Sequence, residues 1–187
     1  TINYYRQVVP SPDQIFVGGI TETLLKDTLR EETGATVIAG LLDKSGMLDP
    51  GDQTKVDTLT PDYQMLEQVD YEYGLNDAYI GYATRGCPNQ CGFCAVHDIE
   101  PTFCNYLPLK RQVRSIEELY GPKQHLVLLD NNVLASDQFD RIVGDIIDLG
   151  FEKGAKLNRK LRYVDFNQGT DIRRVTTEKM KLLAKTA

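Results

Sequence analysis

The chain has 187 residues, of which 41% are hydrophobic, and its 27 Asp and Glu against 21 Lys and Arg give a formal charge of −6. That length suits one domain, or one and a half, with a core of its own, and the acidic balance argues against a general binder of nucleic-acid backbones, which needs a basic face. No uninterrupted apolar run approaches the ~20 residues that span a bilayer, and no charged start followed by an apolar stretch marks a secretory segment, so a cytoplasmic protein with reduced thiols is expected.

The sequence opens Thr1-Ile2-Asn3-Tyr4-Tyr5 without an initiator methionine and closes inside a helical pattern from Met180 onward, so a piece of a longer protein is expected. Ile15-Phe16-Val17-Gly18-Gly19-Ile20 is a β-rich run ending in a glycine pair. Residues 21–32 follow with Leu24, Leu25 and Leu29 on helical spacing, and Thr33-Gly34 stops them. Residues 36–42 read as a second buried strand, so the order is β-α-β, as in a doubly wound sheet. Turn chemistry fills residues 43–78, at Asp43-Lys44-Ser45-Gly46, Asp49-Pro50-Gly51-Asp52 and Thr60-Pro61-Asp62-Tyr63. A helix is expected over 62–69. A connection of this length reads as interdomain, which places one domain with its linker at 1–74 and a second at 75–187.

From Ala78 the pattern is strand, loop, helix, repeated. Residues 79–83 give the first strand, and a helix over 114–120 has Ser115 as its cap, with Glu117 and Glu118 favouring its first turn. Residues 124–129 form the second strand, ending in Asp130-Asn131-Asn132. An amphipathic helix over 136–149 carries Phe139, Ile142, Val143, Ile146, Ile147 and Leu149 and is closed by Gly150. Residues 160–166 give a third strand that ends in Asn167-Gln168-Gly169-Thr170-Asp171, and Thr177 caps a last helix containing Met180, Leu182 and Leu183. Lys153, Lys156, Arg159, Lys160, Arg162, Arg173 and Arg174 concentrate positive charge toward this end, as a solvated face or as a local basic pocket.

The loop after the first of these strands reads Gly86-Cys87-Pro88-Asn89-Gln90-Cys91-Gly92-Phe93-Cys94, a C-x3-C-x2-C arrangement of three soft thiolate ligands. Closed zinc and iron–sulfur sites take four protein ligands, so three leave one position open. Two other readings stand beside an open cluster. A structural zinc site could add His97 or Cys104, although zinc knuckles favour paired C-x2-C halves and only one is present. Disulfides are disfavoured by three cysteines crowded into eight residues. Cys104 alone reads as an ordinary half-buried thiol.

The cysteine spacing, with Tyr79-Ile80-Gly81-Tyr82-Ala83 before it and Ala95-Val96 after it, resembles the radical S-adenosylmethionine (SAM) superfamily. The resemblance implies an α/β fold in which a partial (β/α) radical SAM barrel follows the end of a Rossmann-like α/β domain. It implies that Cys87, Cys91 and Cys94 hold a [4Fe-4S] cluster whose fourth iron chelates SAM, and that reductive cleavage yields a 5′-deoxyadenosyl radical. Phe93 matches the aromatic that lies against the adenine. Asp130 or Asn132 would receive the SAM ammonium in place of the superfamily's glycine-rich motif, which this sequence lacks. Gln168 would bond the ribose or carboxylate and Arg173 would pair the carboxylate, the alternative for both clusters being strand-to-helix turns with an Asp171–Arg173 ion pair. His97 reads as a proton gate or as a loop histidine.

The glycine-pair segment is similar to the C-terminal part of the cobalamin-binding-like domain that precedes many such barrels. That domain's D-x-H-x-x-G motif is absent, because the only histidines are His97 and His125, so cobalamin is not expected here. The reading is therefore a radical SAM enzyme of unknown substrate with an electron donor such as flavodoxin or ferredoxin, and with no catalytic side chain assigned. The rivals are a methylthio- or methyltransferase of the same superfamily and a non-enzymatic zinc or electron-transfer module.

Overall fold

This computed structural model describes residues 2–11, 14–68, 70, 71, 73 and 75–187. Thr1, the expected helix end at Val69 and the expected domain end at Gly74 lie outside them. The fold is mixed α/β with small sheets of parallel strands. No described helix is long and apolar enough to cross a membrane. Two compact units divide the chain: one runs from the N-terminus to Leu59 and includes Phe93–Pro101, and the other comprises Thr60–Gly92 and Thr102–Ala187.

In the first unit, helix α1 (Ile2–Val8) precedes strand β1 (Phe16–Gly18), which pairs in parallel with β2 (Thr36–Ile38) through Phe16↔Thr36, Val17↔Val37 and Gly18↔Ile38. The crossover is two helices, α2 (Ile20–Leu24) and α3 (Lys26–Thr33), where the leucine spacing predicts one. The break is at Leu25, whose backbone leaves the helical region. Gly34 ends α3 at φ 66°, a left-handed conformation that glycine adopts without a Cβ penalty. A short helix α4 (Val96–Ile99), which the sequence pattern does not announce, packs on α2.

The second unit is built on three parallel strands, β3 (Ala78–Gly81), β4 (His125–Leu128) and β7 (Val164–Phe166), with β4 in the centre. Ala78 to Gly81 pair with His125 to Leu128, and Leu126 to Leu128 with Val164 to Phe166. The central strand is covered on both faces, so its apolar run is continuous and Leu126, Val127 and Leu128 are fully buried. Helix α5 (Leu109–Tyr120) buries Leu109, Val113 and Ile116, and α6 (Phe139–Asp148) buries Phe139, Ile142, Val143 and Ile146, each on helical spacing. Helix α5 begins well before Ser115, just after Pro108, because Leu109 is drawn into the core; Ser115 lies within the helix and hydrogen-bonds the Thr60 hydroxyl.

The third expected strand divides in two. Asn158 and Arg159 take positive φ of 50° and 67° and turn a hairpin between β5 (Lys156–Leu157) and β6 (Lys160–Leu161). The parallel strand starts only at Val164. Between them Arg162 folds inward: its guanidinium donates to the carbonyls of Gly150 (3.0 Å), Lys123 (3.1 Å) and, through Nε, Gln124 (3.2 Å), and lies 3.6 Å from the Phe151 ring centre. Among the basic residues of this end, Arg162 is thus a clasp between elements. The last helix, α7 (Thr177–Leu183), is capped one residue earlier than expected, by Thr176, whose hydroxyl accepts from the Lys179 N–H at 3.2 Å.

Tyr63 and its neighbours belong to this unit rather than to a free linker, and Tyr63 does the fastening. Its buried hydroxyl donates to the Ala78 carbonyl (2.8 Å) and accepts from the Ile80 N–H (3.0 Å), the two backbone groups that β3 turns away from β4. The phenol stands where a neighbouring strand would. Tyr63→Phe leaves that edge unpaired, and we expect it to cost about 1–3 kcal/mol, seen as a lower urea midpoint together with faster hydrogen exchange at the Ile80 amide.

Candidate metal centre

In parallel α/β sheets the loops that follow the strands gather along one edge, and here those loops carry the chemistry-bearing residues. The loop after β3 starts from a heavily fixed stem. Gln112 of α5 accepts from the Tyr82 N–H (3.1 Å) and donates to the Tyr82 carbonyl (2.8 Å). Gly81 permits this, since a Cβ there would meet Gln112 Oε1 at 3.0 Å. Ala83 and Thr84 are fully buried, and the Asp130 carboxylate from the loop after β4 accepts from both backbone N–H groups and from the Thr84 hydroxyl (2.6 Å). Burial pushes the Asp130 carboxyl up, against the pull of the Thr84 hydroxyl and of the backbone N–H groups. On the other side Arg85 and Cys104 exchange backbone bonds of 3.1 and 2.9 Å. Gly86, at φ 70°, then turns the chain into Cys87, a conformation that favours glycine.

Past that stem, one carboxylate organises the site. Asp171, in the loop after β7, receives the side-chain amide of Asn89 (2.8 Å), the side-chain amide of Asn132 (3.1 Å), and Nε and Nη2 of Arg173 (2.8 and 3.1 Å). Arg174 pairs with it at 4.0 Å and donates to the Asn89 side-chain oxygen at 3.1 Å. Residues from the loops after β3, β4 and β7 therefore meet at one anion. Two of its donors also reach thiols: Asn132 Nδ2 lies 3.3 Å from Cys87 Sγ, and Arg173 Nη2 and Nη1 lie 3.6 and 3.8 Å from Cys91 Sγ. The Asn89 backbone N–H adds a contact to Cys87 Sγ at 3.5 Å.

The Arg173 guanidinium beside Asp171 holds its carboxyl far below the ordinary carboxylate range, and the bonds from Asn89 and Asn132 act the same way while burial opposes them. For a carboxyl depressed by folding, the stabilising charge is complete above the unfolded value, about 3.9, and is lost only as pH falls through the lower folded one. Accordingly, the Asp171 carboxyl carbon resonance should stay flat from neutral pH down through about pH 4 in an NMR titration, and mid-range movement would contradict the pairing.

The expected site residues separate into those this cluster brings together and those it does not. Asn132 and Arg173 belong to it. Asp130 lies one step back, occupied by Ala83 and Thr84. Gln168 is exposed and donates to the Asn167 side chain at 3.1 Å. Phe93 is 94% exposed and, like Cys94 and His97, falls in the first unit, the division running between Gly92 and Phe93. His97 Nε2 lies 3.5 Å from Asp98, and its Nδ1 is buried without a partner among the described residues. Cys104 donates its thiol to the Tyr106 carbonyl at 3.4 Å. Asn89 and Arg174 escape a sequence reading; the available signal is a polar residue between two cysteines and a second arginine beside Arg173.

Among the described residues no three His, Cys, Asp or Glu side chains converge closely enough to hold a metal ion. The cysteines are of the ligand type that iron–sulfur groups take, but the described residues do not bring three of them together. Thiolates are the soft ligands such clusters take, and all four cysteines are free of disulfides and half-buried. The Asn132 amide nitrogen faces two acceptors, which leaves Oδ1 buried with no partner among the described residues. A buried orphan acceptor suits a bound group that donates, such as an ammonium, and not an iron–sulfur cluster, whose sulfurs accept. No protein-family model matches the sequence, and neither a curated protein nor a solved structure matches it significantly.

Proposed function

We propose that this chain is an iron–sulfur protein of the radical SAM kind, in which Cys87, Cys91 and Cys94 are the cluster ligands and one iron is left open to SAM. The observation that carries the reading is the C-x3-C-x2-C loop at the C-terminal end of β3, where side chains from the loops after β4 and β7 reach the thiols of Cys87 and Cys91. Cys94, three residues beyond Cys91 in sequence, supplies the third thiolate. When bound, the cluster would supply the electron that breaks the SAM sulfonium, delivered by a donor such as a flavodoxin or ferredoxin.

The chain's own residues have separate tasks in this reading. Asn132 Oδ1 is the acceptor for the SAM ammonium. Asp130 fixes the stem from which the cysteine loop departs, so its role is positional. Phe93 offers an exposed ring for the adenine, and Gln168 an exposed amide for the ribose or carboxylate. Arg173, with Asp171 already on its fork, acts on Cys91 instead of on a SAM carboxylate. A partial (β/α) barrel following a Rossmann-like unit is the architecture that accompanies this function, and the substrate is left unnamed.

The deciding experiment is electron paramagnetic resonance on anaerobically iron- and sulfide-reconstituted, dithionite-reduced protein, with and without SAM. A reduced [4Fe-4S] signal that changes on adding SAM is the expected result. Retained zinc with no sulfide would replace this reading with a structural site, and a cluster signal indifferent to SAM would reduce it to electron transfer.

A further inference from the structure

A histidine ties the entry of β7 to β4. His125 opens β4; its backbone N–H donates to the Asp77 carbonyl at 3.0 Å, and its ring lies flat on the Tyr163 ring, with centres 3.6 Å apart and planes 19° from parallel. The Tyr163 N–H donates to His125 Nδ1 at 3.2 Å, while the Tyr163 carbonyl accepts from the Leu126 N–H at 3.1 Å. Tyr163 is thus held to β4 by both of its backbone groups, one on main chain and the other on an imidazole. An Nδ1 that accepts carries no proton, so the ring is neutral with its proton on Nε2. Strand β7 begins at the next residue, Val164, and leads into the loop of Asp171.

We propose that His125 is a pH-operated latch: the neutral ring fastens Tyr163 to the head of β4, and a proton taken up at Nδ1 releases it. The proton comes from solvent and forms an Nδ1–H bond, so the former acceptor becomes a second donor facing the Tyr163 N–H. The ring also gains a positive charge beside Arg162, whose guanidinium clasps the carbonyls of Lys123, Gln124 and Gly150. Acid therefore works against two adjacent fastenings at once. A charged imidazole still lies well on an aromatic face, so the ring stays near and the latch closes again when the proton leaves. Burial pushes the His125 imidazole below its ordinary value of about 6.5; Asp77, just before β3, pulls it back, and Arg162 adds to the fall. For an imidazole depressed by folding, the fastening is complete above the unfolded value and is lost as pH falls through the lower folded one.

Nothing in the latch involves the cysteines, so the chain without added metal serves for the test. NMR follows the His125 Cε1–H resonance and the hydrogen-exchange protection of the Tyr163 amide, from mildly alkaline pH down through the titration of the ring, in the wild-type chain and in His125→Phe. In the wild type the ring is expected to titrate below about 6.5, and protection at Tyr163 to fall about tenfold in step with it. The Ile80 amide, held by Tyr63 on the far edge of β3, should keep its protection throughout. His125→Phe retains a ring for the stack but no acceptor, so its Tyr163 amide should exchange about tenfold faster at neutral pH and show no step. Protection at Tyr163 that stays flat while the ring titrates, a ring that titrates at or above the ordinary value, or a pH step that persists in His125→Phe overturns the latch. So does an equal loss at Ile80, which marks unfolding of the whole unit. Should His125→Phe fail to fold, the wild-type titration decides alone.

Discussion

Replacing Cys87, Cys91 or Cys94 by alanine is expected to abolish iron and sulfide loading, while Cys104→Ala leaves it at the wild-type level. Three thiolates are the minimum that holds a four-iron cluster with one iron open, so no single loss is compensated by the others. The fall should be well over tenfold, since even changes behind the ligands cost about 10–100-fold in metal affinity. Cys104 differs because its backbone is locked to Arg85 and its thiol is turned to the Tyr106 carbonyl. Iron and sulfide assays with the visible charge-transfer band check this directly. If Cys104→Ala or His97→Ala strips bound zinc from a sulfide-free protein, the centre is structural and the cluster assignment falls.

Asp130→Ala should be the most damaging substitution outside the cysteines. The change leaves the Ala83 N–H, the Thr84 N–H and the Thr84 hydroxyl without their acceptor in fully buried surroundings. Each stranded donor costs about 1–3 kcal/mol; allowing for partial rearrangement, the total is roughly 3–5 kcal/mol, a large part of the roughly 5–15 kcal/mol that holds a typical domain together. Asp130→Asn keeps one oxygen and the shape but sets an amide NH2 near the Ala83 N–H, so about half that loss is expected. Urea unfolding followed by circular dichroism measures both. A loss below about 1 kcal/mol for the alanine variant would mean that water or another group takes over, and the stem would not depend on Asp130.

Strand and helix positions in the second unit are legible in the sequence because burial imposes period. The apolar run around Leu126–Leu128 and the helical spacing of Phe139, Ile142, Val143 and Ile146 survive in β4 and α6 with small shifts at their ends. The features that escape a sequence reading depend on single backbone events. Positive φ at Asn158 and Arg159 turns a hairpin that takes Lys160 and Leu161 into pairing with β5, so the parallel strand starts only at Val164, and Leu25 interrupts a leucine pattern that looks continuous.

In the site, the cysteine spacing, Asn132 and Arg173 can be picked out because polar residues directly after apolar strands belong to one edge of a parallel sheet. Asp171 as the meeting point of three loops cannot be, since its partners Asn89 and Asn132 lie 82 and 39 residues away in sequence. Nor does a sequence distinguish Arg162, folded against Phe151, from the exposed basic residues around it.

The parallel sheet also has a bearing on how the chain is made. Strand β4 waits for Val164–Phe166 while the intervening residues emerge, and at ribosomal rates of roughly 5–20 residues per second that interval is on the order of seconds. Throughout it, the fully apolar Leu126-Val127-Leu128 segment is paired with β3 on one edge and lacks its β7 neighbour on the other. Slower elongation prolongs that exposure, so the yield of folded protein in a heterologous host should depend on the speed at which the stretch between β4 and β7 is translated.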